Sequence, residues 1–229
     1  MRVVGLWRFP VKSLGGEELD RVDVDALGLR GDRQWGIRDL ATGKVLTARR
    51  EPKLLFGSAR LTESGDVSLT LPDGHTDLSA WLGYAVELVR AAPGVRGTYE
   101  NPLDFEHDAD WIEWTGPEGV FHDSTRTRVS LVSTTTLRDW DLRRFRSNVI
   151  VDGDGEDAFV GQRVRIGSVA ADVTKYIDRC VMTTRPQPGV DRDLDVLRTI
   201  NHERAGNLGI GCVVTSPGTI AVGDAVEVV

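Results

Sequence analysis

Turn-forming clusters punctuate this chain about every ten residues, and the segments between them are short and strand-like. Residues 19–25, LDRVDVD, show the pattern. Val22 and Val24 alternate with Arg21, Asp23 and Asp25, as in a strand with one face on a core. RVVGLWRF (2–9) is an apolar run stopped by Pro10, and QWGIRDL (34–40) turns at ATGK into VLTAR as a predicted hairpin. AVELVRA (85–91), NVIVD (148–152), FVGQRVRIG (159–167), VAADVTKYI (169–177) and the tail from Gly209 read as further strands. Helical patterns are few. One covers DLSAWLG (77–83), capped by Asp77. One follows Ser133, with Leu137, Trp140 and Arg144 at helical spacing, and one covers 193–204, with Leu194, Leu197 and Ile200 on one side. Strands and helices do not alternate regularly, which argues against a doubly wound parallel sheet. The expectation is a mostly β chain with a few short helices (α+β), built as a small barrel or sandwich. The Pro-, Gly- and Asp-rich stretch from Ala92 to Gly119 reads as a linker, dividing the chain into 1–92 and 93–229.

At 229 residues, 40% hydrophobic and 28% charged, the chain can bury a real core. Net charge is −7, and an acidic surface repels phosphodiester backbones, so nucleic acid is not an expected partner. No apolar run reaches the ~20 residues that cross a bilayer, and the start lacks a signal peptide's apolar stretch. A cytoplasmic protein with no membrane span is expected. Cys180 and Cys212 are far apart and neither belongs to C-x-x-C, so neither a disulfide framework nor a cysteine-rich metal site is indicated.

Three places carry candidate chemistry. FPVKSLGG puts Lys12 and Ser13 after a strand and before a glycine pair. An ammonium, a hydroxyl and free amides in a tight turn suit a phosphate monoester, and a solvated turn is the plainer alternative. Arg33, and Arg146 with Asn148, can fork onto an anion or read a heterocycle edge, or make surface ion pairs. A thiolate at Cys180 beside Arg179 suits a soft metal or a nucleophile, whereas Cys212 inside GIGCVV looks like a small buried hydrophobe. His75, His107, His122 and His202 are possible bases, but no motif ties one to the thiol. VDGDGED departs from a calcium loop and reads as a turn. Walker, dinucleotide-binding and G-x-S-x-G motifs are absent.

In order, these pieces resemble the MOSC family. FPVKSLGG, GLRGDRQW and LTARREPKL resemble its N-terminal β-barrel. RFRSNVIVDG resembles its F-R-P-N strand, with Ser147 where proline is usual, and DRCVMTTRPQPGVDRDLDVLRTI followed by SPGTIAVGDAVEVV resembles its cysteine segment and closing strand. The resemblance implies two β-barrels, the second a MOSC barrel. It implies a molybdenum cofactor: Cys180 as metal ligand with Arg179 beside it, Lys12, Ser13 and Arg33 on the molybdopterin phosphate, Arg146 and Asn148 at the pterin, and Asp123 and Ser124 as a polar pair facing it. Asp178 stands where the family's amidoxime-reducing enzymes usually have serine, and Asp178 or Asp123 would relay protons. The implied reaction is reduction of small N-hydroxylated compounds, with electrons from a separate ferredoxin- or flavoprotein-type partner. A persulfide carrier and a non-catalytic cofactor-binding module are the alternatives, and pyridoxal phosphate on Lys12 is a remoter one.

Overall fold

Period-two segments are stable only when paired, and their pairing decides this architecture. The computed structural model describes residues 1–102 and 110–229. The first part holds β1 (Val3–Arg8), β2 (Glu17–Leu19), β3 (Arg21–Asp25), β4 (Gly28–Leu29), β5 (Trp35–Asp39), β6 (Ser58–Leu61), β7 (Val67–Thr70), α1 (Leu78–Leu82) and β8 (Val86–Arg90). Then come β9 (Arg96–Pro102), β10 (Trp111–Glu118), β11 (Val129–Ser133), α2 (Thr134–Leu137) and β12 (Val149–Val151). The chain ends with β13 (Arg163–Ile166), β14 (Val169–Asp178), α3 (Asp195–Arg204), β15 (Asn207–Ser216), β16 (Gly218–Ala221) and β17 (Val226–Val228). The protein is mostly β with a few short helices, as expected.

Among the described residues the largest sheet has eight strands in the order β17-β13-β14-β15-β11-β12-β1-β2 and curls into a half-barrel. Its pairs are antiparallel except β11 with β12. β1 therefore joins a sheet built mainly by the second half, and β16 returns to pair with β3. Val22 and Val24 are buried and Arg21, Asp23 and Asp25 exposed, as their alternation requires. Valines, isoleucines and Cys212 of these strands fill one core. A second core around Val11, Ile37, Leu54 and Leu82 lies within the N-terminal half.

Several local expectations are corrected. The stretch 92–119 is not a linker: β9 and β10 form an antiparallel hairpin across it. Among the described residues, Pro93, Gly94 and Gly119 sit at turns, and a register shift between Thr115 and Glu118 takes up Gly116 and Pro117. Tyr99, fully buried, anchors the hairpin, with its ring 5.1 Å from that of Trp114. Ser133 does cap α2, its Oγ accepting from the Thr136 amide, but α2 stops at Leu137. Arg138 has φ 57° and ψ −134°, which no helix continues, so Trp140 falls in a bend and Arg144 on a separate turn, Leu142–Arg144. VLTAR is not a full strand: Val45 bridges Arg38, and the chain then turns at Thr47. In FVGQRVRIG only Arg163–Ile166 is strand. In α3, Val196, Leu197 and Ile200 are buried, while Leu194 precedes the helix and is exposed.

Candidate functional site

Three arginine- and serine-bearing turns are held in backbone conformations that L-residues rarely adopt. Ser13 (φ 70°), Arg33 (φ 51°) and Arg146 (φ 52°) all lie in the left-handed region. All three line one cavity of about 470 Å³, the size of a small-molecule or cofactor site. Lys12, Asp123, Ser124, Asn148, Asp178, Arg179 and Cys180 line it too, so the structure brings all the sequence-predicted site residues around one space. Thr47, Arg49, Trp114, His122, Arg144 and Lys175 join them. The described wall thus carries Lys12, Arg33, Arg49, Arg144, Arg146, Lys175 and Arg179 against Asp123 and Asp178, in a chain whose net charge is −7.

Lys12 is almost fully buried. Its Nζ donates to the Phe121 carbonyl at 3.0 Å and to Asp123 Oδ1 at 2.7 Å, and lies 4.2 Å from the centre of the Tyr99 ring. Burial pulls the ammonium down to about 8, against the ion pair with Asp123. Partial desolvation at the cavity wall would raise the Asp123 carboxyl, whose side chain is still half accessible, but Lys12, Arg49 and Arg33 outweigh it and hold it well below the usual carboxylate range. Ser13 Oγ accepts from the Ala48 amide at 3.0 Å, which leaves its proton available to the cavity. The expectation of free amides in this turn is corrected for three of them. The Lys12, Leu14 and Gly15 amides donate to the carbonyls of Trp35, Val11 and Gly57.

Arg33 pairs with the fully buried Asp32, which also accepts from the Phe9 amide at 2.7 Å. Its Nη2 donates to the Arg146 carbonyl at 3.1 Å. Arg146 in turn donates from Nη1 to the Leu14 carbonyl at 2.5 Å and lies 4.3 Å from the centre of the Phe9 ring. Its Nη2 is buried with no hydrogen-bond partner among the described residues. Burial first, and Arg33 second, push its pKa down to about 9, and the Asp32 and Asp123 carboxylates offset them only in part.

Asn148 behaves differently from the expectation. Its Oδ1 accepts from the Ser130 amide at 3.2 Å and from Ser130 Oγ at 2.8 Å, and its Nδ2 donates to the Trp7 carbonyl at 3.2 Å. That amide clamps β1, β11 and β12 and does not offer both a donor and an acceptor to a heterocycle. We expect Asn148→Ala to lower stability by about 2–4 kcal/mol in urea unfolding, because buried Ser130 groups lose their partner.

Cys180 follows β14 and is partly exposed on the cavity wall. The guanidinium on its sulfur is not Arg179. Arg179 turns away, donating from Nε and Nη2 to the Leu208 carbonyl at 2.8 and 2.6 Å and from Nη1 to that of Phe145 at 2.8 Å. Gly209 (φ 78°) allows this seat, since a Cβ there would meet the Leu131 carbonyl at 2.7 Å. Arg49 donates from Nε to Cys180 Sγ at 3.3 Å. Burial opposes the Arg49 charge, but Cys180, Asp123 and Asp178 hold its pKa above the ordinary value. Asp178 is exposed and accepts from Lys175 Nζ at 2.6 Å. Partial desolvation by the cavity wall opposes its charge, but Lys175 keeps it below the usual range. Both acids are therefore ionised at neutral pH and can accept a proton but hold none in store. Ser124 Oγ accepts from the Arg126 amide at 3.1 Å. Cys212 sits in the strand core, where burial pushes its thiol up to about 12.

The profile of the MOSC N-terminal beta barrel domain matches residues 1–111, and that of the MOSC domain matches residues 116–227. The chain belongs to the MOSC family. Curated MOSC relatives include the molybdenum cofactor sulfurase of Danio rerio, 23% identical over 91% of this chain, and that of Drosophila grimshawi, 26% identical over 90%. The chain spans about a third of their length, 31% in each. Similar solved structures include the YUAD protein of Bacillus subtilis, with TM-score 0.47 and 16% identity, covering 99% of this chain and 94% of that one. YiiM of Escherichia coli gives TM-score 0.45 and 12% identity over 100% and 70%.

Of the wall residues that the sequence motifs did not assign, Arg49 and His122 bear most on the chemistry. Arg49 stands in the quoted LTARREPKL, but nothing in that segment says that it reaches residue 180. His122 was one of four histidines without a motif. Of the others, neither His75 nor His202 lines the cavity, and His107 lies outside the described residues. Among the described residues no helix is long and apolar enough to cross a membrane, and no group of three or more His, Cys, Asp and Glu could hold a metal ion.

Proposed function

We propose that this chain is a molybdenum-cofactor-binding oxidoreductase that reduces small N-hydroxylated compounds with electrons from a separate ferredoxin- or flavoprotein-type protein. The observation that carries the reading is the convergence of the cationic turns and the Cys180 thiol on one cavity. The order of the MOSC motifs and the relatives named molybdenum cofactor sulfurase support it.

The wall fits the group. A phosphate-bearing anionic cofactor meets the charge that Lys12 and Arg33 supply, with a hydroxyl proton from Ser13. The unpartnered Arg146 Nη2 is a donor awaiting an acceptor. Cys180 offers one soft protein ligand, and the cofactor's own dithiolene would supply the others. When bound, the cofactor supplies the two-electron and oxygen-transfer chemistry that side chains lack. The chain's residues bind and orient it. Arg49 holds the ligand sulfur, Arg179 braces the segment that carries it, and Asp123 fixes the Lys12 ammonium. Asp178 or Asp123 would relay protons to the reacting group.

The test is metal and pterin analysis of protein made in a cofactor-competent host, followed by reduction of an amidoxime with an artificial electron donor. About one Mo per chain and turnover are expected. The relatives' name favours a second reading, Cys180 as a persulfide carrier, and cyanide-releasable sulfur without Mo would select it. Bound cofactor without turnover would leave a binding module.

A further inference from the structure

His122 stands in the corner assigned above to the phosphate, and nothing in that assignment uses it. Its neighbours on the chain both hold Lys12: the Phe121 carbonyl accepts from Nζ at 3.0 Å and Asp123 Oδ1 at 2.7 Å. The backbone is fixed there as well, with the Phe121 amide donating to the Arg33 carbonyl at 2.7 Å. The imidazole lines the same cavity as Lys12 and Arg33 and is only 5% exposed. Its Nε2 is buried and has no hydrogen-bond partner among the described residues.

The nearest acid does not satisfy that nitrogen. Asp32 Oδ2 is 3.8 Å away, beyond hydrogen-bond range, and Asp32 already serves Arg33 and the Phe9 amide. Burial first, then Arg33, Arg128 and Lys12, push the imidazole pKa well below its ordinary value, so the ring is neutral. A neutral imidazole carries one N–H. A buried N–H without an acceptor is unfavourable, and an oxyanion in the cavity removes that penalty.

We propose that His122 is a further binding residue, whose Nε2–H donates to a phosphate monoester held by Lys12 and Arg33. The location of the phosphate rests on the function proposed above, whereas the role of His122 does not follow from it. A neutral donor suits this corner. Another cation beside Lys12 and Arg33 would add repulsion, and the imidazole adds a hydrogen bond without a charge.

The test uses the 229-residue chain, cofactor-free and ¹⁵N-labelled, titrated with inorganic phosphate at neutral pH, following the four imidazoles by long-range ¹H–¹⁵N correlation. The His122 Nε2 resonance is expected to move saturably and to stay that of a protonated, neutral-ring nitrogen, with His75 and His202 unmoved. His122→Phe is expected to weaken phosphate binding about tenfold, and His122→Asn, which keeps a neutral donor, to stay within about threefold of wild type. Phosphate binding that depends on Lys12 while the His122 signal stays still, or that His122→Phe leaves intact, overturns this inference and leaves the phosphate grip standing. No phosphate binding by the wild-type chain overturns both. The wild-type titration needs no variant to fold.

Discussion

Cys180→Ala is expected to remove most of the bound Mo and to lower amidoxime reduction at least about a hundredfold, while Cys212→Ala keeps both. The contrast follows from where the two sulfurs lie. Cys180 is partly exposed on the cavity wall with Arg49 Nε at 3.3 Å, and Cys212 is sealed among the valines of β11 and β14. A soft metal can reach the first and not the second. Replacing Cys212 deletes one buried heavy atom, so it should cost about 1 kcal/mol in urea unfolding without touching the cavity. Iodoacetamide applied to the folded, cofactor-free chain should modify Cys180 and leave Cys212 unmodified until denaturant is added, as read by mass spectrometry. Equal behaviour of the two alanine variants in Mo content would remove Cys180 from the ligand position.

Local context separated the two cysteines correctly because a strand core and a polar, turn-rich segment differ in composition. The same logic found the half-buried strand at 21–25 and the caps at Asp77 and Ser133, where one side chain determines the local outcome. It failed where distant residues decide. Proline and glycine between 92 and 119 signal loops in isolation, whereas β9 and β10 pair there and Tyr99 and Trp114 pack into a cluster with the distant Val45, Val89 and Phe121. The helix after Ser133 has good spacing to Arg144, yet it ends where the Arg138 guanidinium pairs with Glu203 and lies 5.1 Å from the centre of the Trp140 ring. The same limit applies to the cavity. Motif order pointed to Lys12, Arg33 and Arg146, but chemical type alone could not show which polar atoms are already paired. Asn148 looked like a heterocycle reader and is a clamp between strands, and Arg179 adjoins Cys180 in sequence while Arg49 adjoins it in space. The left-handed backbone at Ser13, Arg33 and Arg146 has no sequence signature, since each position would ordinarily carry glycine or asparagine.

Lys12→Met should reduce phosphate affinity and cofactor retention by about ten- to a hundredfold, the loss of one charge-assisted contact, while the fold survives. Survival is expected because the Asp123 carboxylate left behind is more than half exposed to the cavity, with 55% of its side chain accessible, and is still faced by Arg49. A Lys12→Met, Asp123→Asn double variant should regain any lost stability and none of the lost phosphate binding, which separates a binding role from a structural one. The pH dependence gives a second readout. Burial lowers Lys12 to about 8 in the folded chain, whereas it titrates near its ordinary value of 10.5 when unfolded. Between those values the unfolded chain binds the extra proton, so deprotonation favours the folded state and this residue's contribution to stability rises with pH across that window. Below about 8 both states are protonated and the desolvation cost is present in full. Wild type measured against Lys12→Met should therefore gain stability from pH 8 to about 10, while its phosphate affinity falls through the same range as the ammonium is lost. A flat difference between the two proteins in urea unfolding over that range would mean that the Lys12 ammonium is as well solvated as a surface lysine, and the phosphate grip would lose its desolvated cation.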